Sequence, residues 1–194
     1  MPLRPLSDHR AVLALGSNLG ESESTIERAV VDLREAGMRI LRVSPLYRTA
    51  PVGGPAGQPD YVNAVIEVST SLRPYELLKL CNAVEAAHHR ERLVRWGPRT
   101  LDIDVIDYEG VVSDDPVLTL PHPRAHERSF VLTPWARMDP EAHLLVARSD
   151  EGSGAVNYVP VSVAELSRDL NLTHEDAGED VIRYMREMNL PGAL

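Results

Sequence analysis

Cysteine is almost absent. The 194 residues contain a single one, Cys81, so no internal disulfide framework is possible and the chain must be held by its core. Cys81 stands at helical spacing from Leu77 and Val84, which predicts a packed side chain and not a nucleophile. Aromatic residues are scarce at 5%, with Phe130 the one phenylalanine, so each well-placed ring carries information. Long apolar runs are missing as well. No segment approaches the roughly eighteen apolar residues of a membrane span, and Met1 to Arg10 lacks the apolar centre of a leader; the expected location is cytoplasmic. Net positive charge is lacking too. A formal charge of −9 argues against a general nucleic-acid binder, whose affinity comes mainly from cations on phosphate.

What is present is a globular composition, 43% hydrophobic and 25% charged, in a length that suits one well-buried domain. The charge is unevenly spread. Residues 139–194 carry 11 acidic and 4 basic side chains, net −7, leaving 18 acidic and 16 basic, net −2, for residues 1–138. Within that nearly neutral part, Arg90, Arg92, Arg95, Arg99, Arg124 and Arg128 form two short clusters able to focus an anionic ligand.

Ala11 to Leu15 predicts a buried strand running into the turn Gly16-Ser17-Asn18-Leu19-Gly20. Ser24-Thr25-Ile26-Glu27 fits a capping box, Ile26, Ala29, Val30 and Leu33 make an apolar stripe, and Gly37 is a stop. Residues 39–47 alternate as a strand. A Gly/Pro-rich loop over 49–60 precedes another strand over 61–68, and a second helix runs from Pro74 toward His88. The order strand, helix, strand, strand, helix, strand predicts a ferredoxin-like α+β sandwich with an antiparallel sheet, helices covering one face. The other face needs further cover or a ligand. Beyond it, Leu118 to Pro123 reads as extended, and Glu127 to Arg137, Ser162 to Leu170 and Ala177 to Asn189 read as helices. Residues 1–145 are expected to form the core, and 146–194 to complete the same domain with an acidic helical extension.

The chemistry concentrates in Arg95-Trp96-Gly97-Pro98-Arg99-Thr100-Leu101-Asp102-Ile103-Asp104-Val105, an arginine-bearing turn before a strand with two alternate aspartates. Side chains alternate along a strand, so Asp102 and Asp104 share one face and Leu101, Ile103 and Val105 the other. Two carboxylates so placed repel, and a hard divalent cation relieves that repulsion. The arginines suit the phosphates such a cation brings. By itself Asp-x-Asp is also what an edge strand carries to avoid pairing with other chains. In the strand over 61–68 the same parity argument puts Tyr61 and Asn63 on one face.

These strings together resemble the 6-hydroxymethyl-7,8-dihydropterin pyrophosphokinase family. The resemblance runs from Leu15 to about Trp135. It rests on Gly16-Ser17-Asn18-Leu19-Gly20, Tyr47-Arg48-Thr49, Gln58-Pro59-Asp60-Tyr61-Val62-Asn63-Ala64, the Arg95–Val105 string, and Pro121-His122-Pro123 with Arg128-Ser129-Phe130. It implies diphosphate transfer from ATP to the hydroxymethyl group of a dihydropterin in folate biosynthesis, with AMP leaving. By the same resemblance, Asp102 and Asp104 hold two magnesium ions for an in-line displacement at the β-phosphorus. Arg90, Arg92, Arg99, His122 and Arg128 contact the ATP phosphates, with Arg90 and Arg92, counted among the catalytic residues, on a closing loop shared with Trp96. The pterin is stacked between Tyr61 and Phe130 and read by Asn63 and by backbone near Thr49 and Val52.

Departures from the family pattern are His89 where many relatives have glycine, Ala50 where proline is common, and Pro123 where some carry an aromatic ring. None removes a metal or phosphate group. The expected partners are the two small-molecule substrates, with no nucleic acid or membrane, and the chain is expected to act as a monomer. Two other classes remain open on the residues alone. A nucleotidyltransferase also uses paired aspartates, and ferredoxin-like sheets serve as RNA-binding or sensing modules.

Overall fold

The computed structural model describes residues 8–51, 57–88, 100–150, 152, 154–177 and 182–192. At its centre is β1 (His9–Ser17), flanked by β4 (Tyr61–Thr70) on one side and β5 (Asp102–Tyr108) on the other, both antiparallel. The chain crosses between them through α1 (Ser22–Glu35) and α2 (Pro74–Ala87), which is the ferredoxin-like arrangement expected from the order of elements.

The strand expected over 39–47 is two strands, β2 (Arg39–Val43) and β3 (Leu46–Thr49), both paired with β4. Pro45 explains the break, because it has no N–H to give to a ladder and constrains the residue before it. Ser44 stitches the gap: its N–H donates to the Val65 carbonyl at 2.9 Å, and its hydroxyl oxygen accepts the Val65 N–H at 2.9 Å.

Helix α1 begins at Ser22 and makes no side-chain cap, so the capping box expected from Ser24 to Glu27 is not formed. Glu27 is engaged elsewhere, accepting from the Arg186 guanidinium and the Asn189 N–H. The helix stops as expected, with Gly37 at φ +98°, a left-handed turn that glycine adopts without strain. In α2, Pro74 occupies the first turn, and Glu76 reaches back to the Arg73 N–H at 2.8 Å.

Two apolar layers sandwich the sheet. Leu13, Leu15, Ile66, Val68, Ile103 and Val105 pack under Ile26 and Leu33 of α1 and Leu77 and Cys81 of α2. Burial pushes the Cys81 thiol up to about 12, so it stays protonated and is core, as its spacing indicated. On the opposite face, Val12, Ala14, Val65 and Ile106 are covered by Val131, Leu132 and Trp135 of α3 (Ser129–Met138). Leu144 and Val146 of β6 (His143–Ser149) and Val163, which opens α4 (Val163–Ala177), complete that layer. Among the described residues the cover spans only part of the face. Gly16, Tyr61, Asn63, Asp102 and Asp104 have the same parity but lie toward the end where β1 finishes and β4 and β5 begin.

Two features after residue 140 differ from expectation. β6 and β7 (Val156–Ser162) form a separate antiparallel hairpin. The helix expected over Ala177–Asn189 is instead a strand where it is described, β8 (Arg183–Arg186), paired with β3 at the sheet edge. Val181, Met185 and Met188 have helical spacing, but Met185 and Met188 pack against the α1-side core from an extended backbone. Long-range pairing outweighs a weak local pattern. No helix among the described residues is long and apolar enough to cross a membrane.

Candidate active site

The end of the sheet that the described residues leave uncovered is built from three strands in fixed register. Gly16 of β1 lies opposite Asn63 of β4 and opposite Asp102 of β5, while Ala14 lies opposite Asp104. Directly opposed residues of antiparallel strands project to the same side, so Asp102, Asp104 and Asn63 share one face across β1. The intervening residues of the central strand, Ala14 and Gly16, are small. A Cβ built on Gly16 would stand 3.3 Å from Asn63 Oδ1 and 3.8 Å from Tyr61 Cδ1. Glycine therefore makes room for those two side chains.

On the far side of β4, Tyr47 lies opposite Asn63 and Thr49 opposite Tyr61. Asn63 is buried and donates through Nδ2 to Thr49 Oγ1 at 2.9 Å, which fixes the amide's orientation. Its Oδ1 points toward the Gly16 side. A planar amide and a half-buried tyrosine ring thus stand on the same face as the aspartates.

The segment entering α3 contributes the positive charge. Arg128 Nη1 donates to Asp104 Oδ2 at 3.1 Å, His122 Nε2 lies 3.9 Å from the same oxygen, and Arg128 Nη1 and His122 Nε2 approach to 3.5 Å. The His122 ring is held by its own backbone: its N–H donates to the Ile106 carbonyl at 2.8 Å, and Nδ1 accepts the Arg124 N–H at 3.2 Å. Neutral His122 therefore carries its proton on Nε2, facing Asp104. Burial lowers the His122 pKa, with Asp104 pulling the other way and Arg128 adding to the depression. The Arg128 guanidinium also sits over the Phe130 ring, 5.4 Å from its centroid. Phe130 packs against the layer that covers the Val12 and Ala14 face, and so belongs to the same side of the sheet as Tyr61.

Asp102, Asp104, His122, Arg128, Phe130, Asn63, Tyr61 and Thr49 are thus gathered on one face. Arg90, Arg92, Trp96, Arg99 and Val52 lie outside the described residues. Asp102 and Asp104 are both half-buried hard-oxygen donors on one face, a set that fits magnesium, which takes one or two carboxylates and fills its shell with water and phosphate. Among the described residues no group of three or more potential metal ligands occurs, so any cation here depends on its ligand for further donors. A polar cleft of about 430 Å³ opens elsewhere, lined by Asn18, Arg48, Asp60 and Arg186 among others; none of the candidate residues lines it.

Sequence reading missed Glu85. It is 2% exposed and accepts the Ile103 N–H at 2.7 Å, holding the aspartate strand from its outer edge. The signal was available: Glu85 continues the buried stripe Leu77 and Cys81 at i+4 spacing, and an acid at a core position needs a partner.

A ferredoxin-like sandwich that sets an acidic pair beside a His–Arg cluster has the chemistry of a protein that handles metal-bound phosphate. The model of the family described as 7,8-dihydro-6-hydroxymethylpterin-pyrophosphokinase (HPPK) matches residues 12–140. The 2-amino-4-hydroxy-6-hydroxymethyldihydropteridine pyrophosphokinase of Methylorubrum extorquens is 44% identical over 133 residues, covering 68% of this chain and 84% of that protein. The protein of the same name from Bacillus subtilis is 42% identical over 129 residues, 66% of this chain and 77% of the relative. The chain belongs to the HPPK family, and it is a pyrophosphokinase enzyme. Among solved structures, Plasmodium falciparum HPPK-DHPS with pterin and p-hydroxybenzoate superposes with a TM-score of 0.64 at 14% identity. The superposition covers 90% of this chain but 45% of that one, and it speaks to the fold.

Proposed function

We propose that the chain transfers diphosphate from ATP to the hydroxymethyl group of 6-hydroxymethyl-7,8-dihydropterin and releases AMP. The observation that carries the reading is that Asp102 and Asp104 share a face and an end of the sheet with Asn63 and Tyr61. One half suits a metal-bound polyphosphate, and the other a flat heterocycle. The family membership and the relatives' names support the same substrates. Residues 1–145 supply the core of this site, and 146–194 complete the same domain. The enzyme works as a cytoplasmic monomer on these small molecules.

Asp102 and Asp104 would hold two magnesium ions, which when bound neutralise phosphate charge and favour an in-line displacement at the β-phosphorus. The protein groups do the rest by position and charge. Arg128 exchanges its contact with Asp104 for a phosphate oxygen, since a guanidinium is bidentate toward either. His122 presents Nε2–H to the same charge. Arg90, Arg92, Arg99 and Trp96, by resemblance, complete the nucleotide contacts and exclude water, with Arg90 and Arg92 acting at the reacting phosphates. Tyr61 and Phe130 stack the pterin, Asn63 reads its polar edge, and backbone at Thr49 and Val52 finishes the hydrogen bonding.

Nucleotide analysis tests this directly. AMP should accumulate from ATP only when magnesium and the dihydropterin alcohol are both present; ADP as the product overturns the reading. Tyr61→Ala should raise the KM for the pterin about tenfold, the order expected when one ring of a stacking pair and its burial are lost. The KM for ATP should change by less than about twofold. Equal losses toward both ligands would show that the ring is structural.

A further inference from the structure

We propose that Arg186 is a positioning residue for the acceptor half of the site: it anchors β8 as a strap along the sheet edge, and the strap fixes the β3 residues that face the acceptor. This rests on the acceptor reading above. β8 lies beyond the residues 12–140 matched to the family model.

The strap is held on one face and used on the other. β8 has four residues, so its ladder with β3 is short. On the α1 side, Arg186 Nε donates to Glu23 Oε2 at 2.8 Å and Nη1 donates to Glu27 Oε1 at 2.7 Å. The Asn189 N–H adds a bond to Glu27 Oε1 at 2.6 Å. One guanidinium thus ties β8 to two successive turns of α1. Although burial raises the Glu27 pKa, Arg186 and Asn189 outweigh it and hold the carboxyl below its ordinary value, as expected of a working ion pair.

On the opposite side the strap meets the acceptor face. Tyr184 lies opposite Tyr47, and their rings meet edge-on with centroids 6.0 Å apart. Tyr47 is buried and sits opposite Asn63. Two residues further along β3, Thr49 is the acceptor of the Asn63 amide bond. The path runs from α1 to Arg186, along β8 to Tyr184, across to Tyr47, and through the β3–β4 ladder to the Asn63–Thr49 pair. Without the strap, β3 would be an edge strand of four residues carrying the orientation of a substrate-reading amide. The carboxylates, His122 and Arg128 belong to β5 and to the segment entering α3, across β1 and β4 from the strap.

The selective location gives the test. Arg186→Ala in the full chain should raise the KM for the dihydropterin alcohol about tenfold, because small misplacements of positioning groups are costly. The KM for ATP should stay within about twofold. Hydrogen exchange at the β3 amides should quicken in the same variant. Arg186→Lys, which keeps one ion pair, should recover most of the loss. Tyr184→Ala, at a residue 56% exposed, should show the same split more weakly and decides the matter if Arg186→Ala does not fold. Equal rises in both KM values overturn the proposal, as do unchanged kinetics with β3 opened to exchange, or unchanged exchange and kinetics together. Failure of the underlying reading is separately visible, since the unaltered enzyme would then yield no AMP with the pterin alcohol.

Discussion

Replacing Asp104 with asparagine is expected to lower turnover by at least about a hundredfold, some 2.7 kcal/mol in the barrier, while the protein stays folded. The side chain is half-buried, and its neighbour Arg128, 3.1 Å away, can still donate to a neutral amide oxygen. The fold therefore loses little, within about 0.5 to 1 kcal/mol. What is lost is one of the two anions proposed to hold the metal-bound phosphate. Turnover by coupled AMP detection and melting by calorimetry separate the two effects. Near-normal rates would remove Asp104 from the site, and a large fall in melting temperature would make the Arg128 contact structural.

Asn63→Ala should act on the other substrate. The amide is buried with 4% exposure and is oriented by its bond to Thr49. Alanine leaves the Thr49 hydroxyl without that donor and a bound heterocycle without a partner on its polar edge. An unmet buried hydrogen-bonding group costs about 1–3 kcal/mol, so the KM for the pterin should rise about tenfold to a hundredfold. ATP affinity, measured by titration without pterin, should hold. Loss of ATP binding to the same extent would mean that Asn63 supports the sheet and not a ligand.

The parts of this site that were legible in the sequence are those governed by strand alternation. Asp102 and Asp104, and Tyr61 and Asn63, could be assigned to shared faces because period two leaves no other choice. That these two faces are one face was not readable, because it depends on the register of β1 with β4 and β5. Glu27 shows the opposite failure. Ser24 to Glu27 satisfies the local rule for a helix start, yet the carboxylate bonds a residue 159 positions away, and no local pattern contains that partner. β8 was misread for the same reason, with helical spacing in its sequence and strand pairing in its environment. The β6–β7 hairpin went unseen because Leu144 and Val146 are buried while Val156 to Pro160 are exposed, so only one of its strands shows an apolar face.

Glu85 has a meaning beyond its support of the aspartate strand. Among the described residues β5 is the outermost strand on its side of the sheet, and an outermost strand offers unused N–H groups to any extended chain that drifts against it. The Ile103 N–H lies between the two aspartates and is already occupied by the Glu85 carboxylate. A foreign strand cannot dock there without displacing a buried acid from its partner, and it would also face the negative charge of Asp102 and Asp104. The carboxylate that supports the aspartate strand therefore also closes a pairing position on that strand's edge.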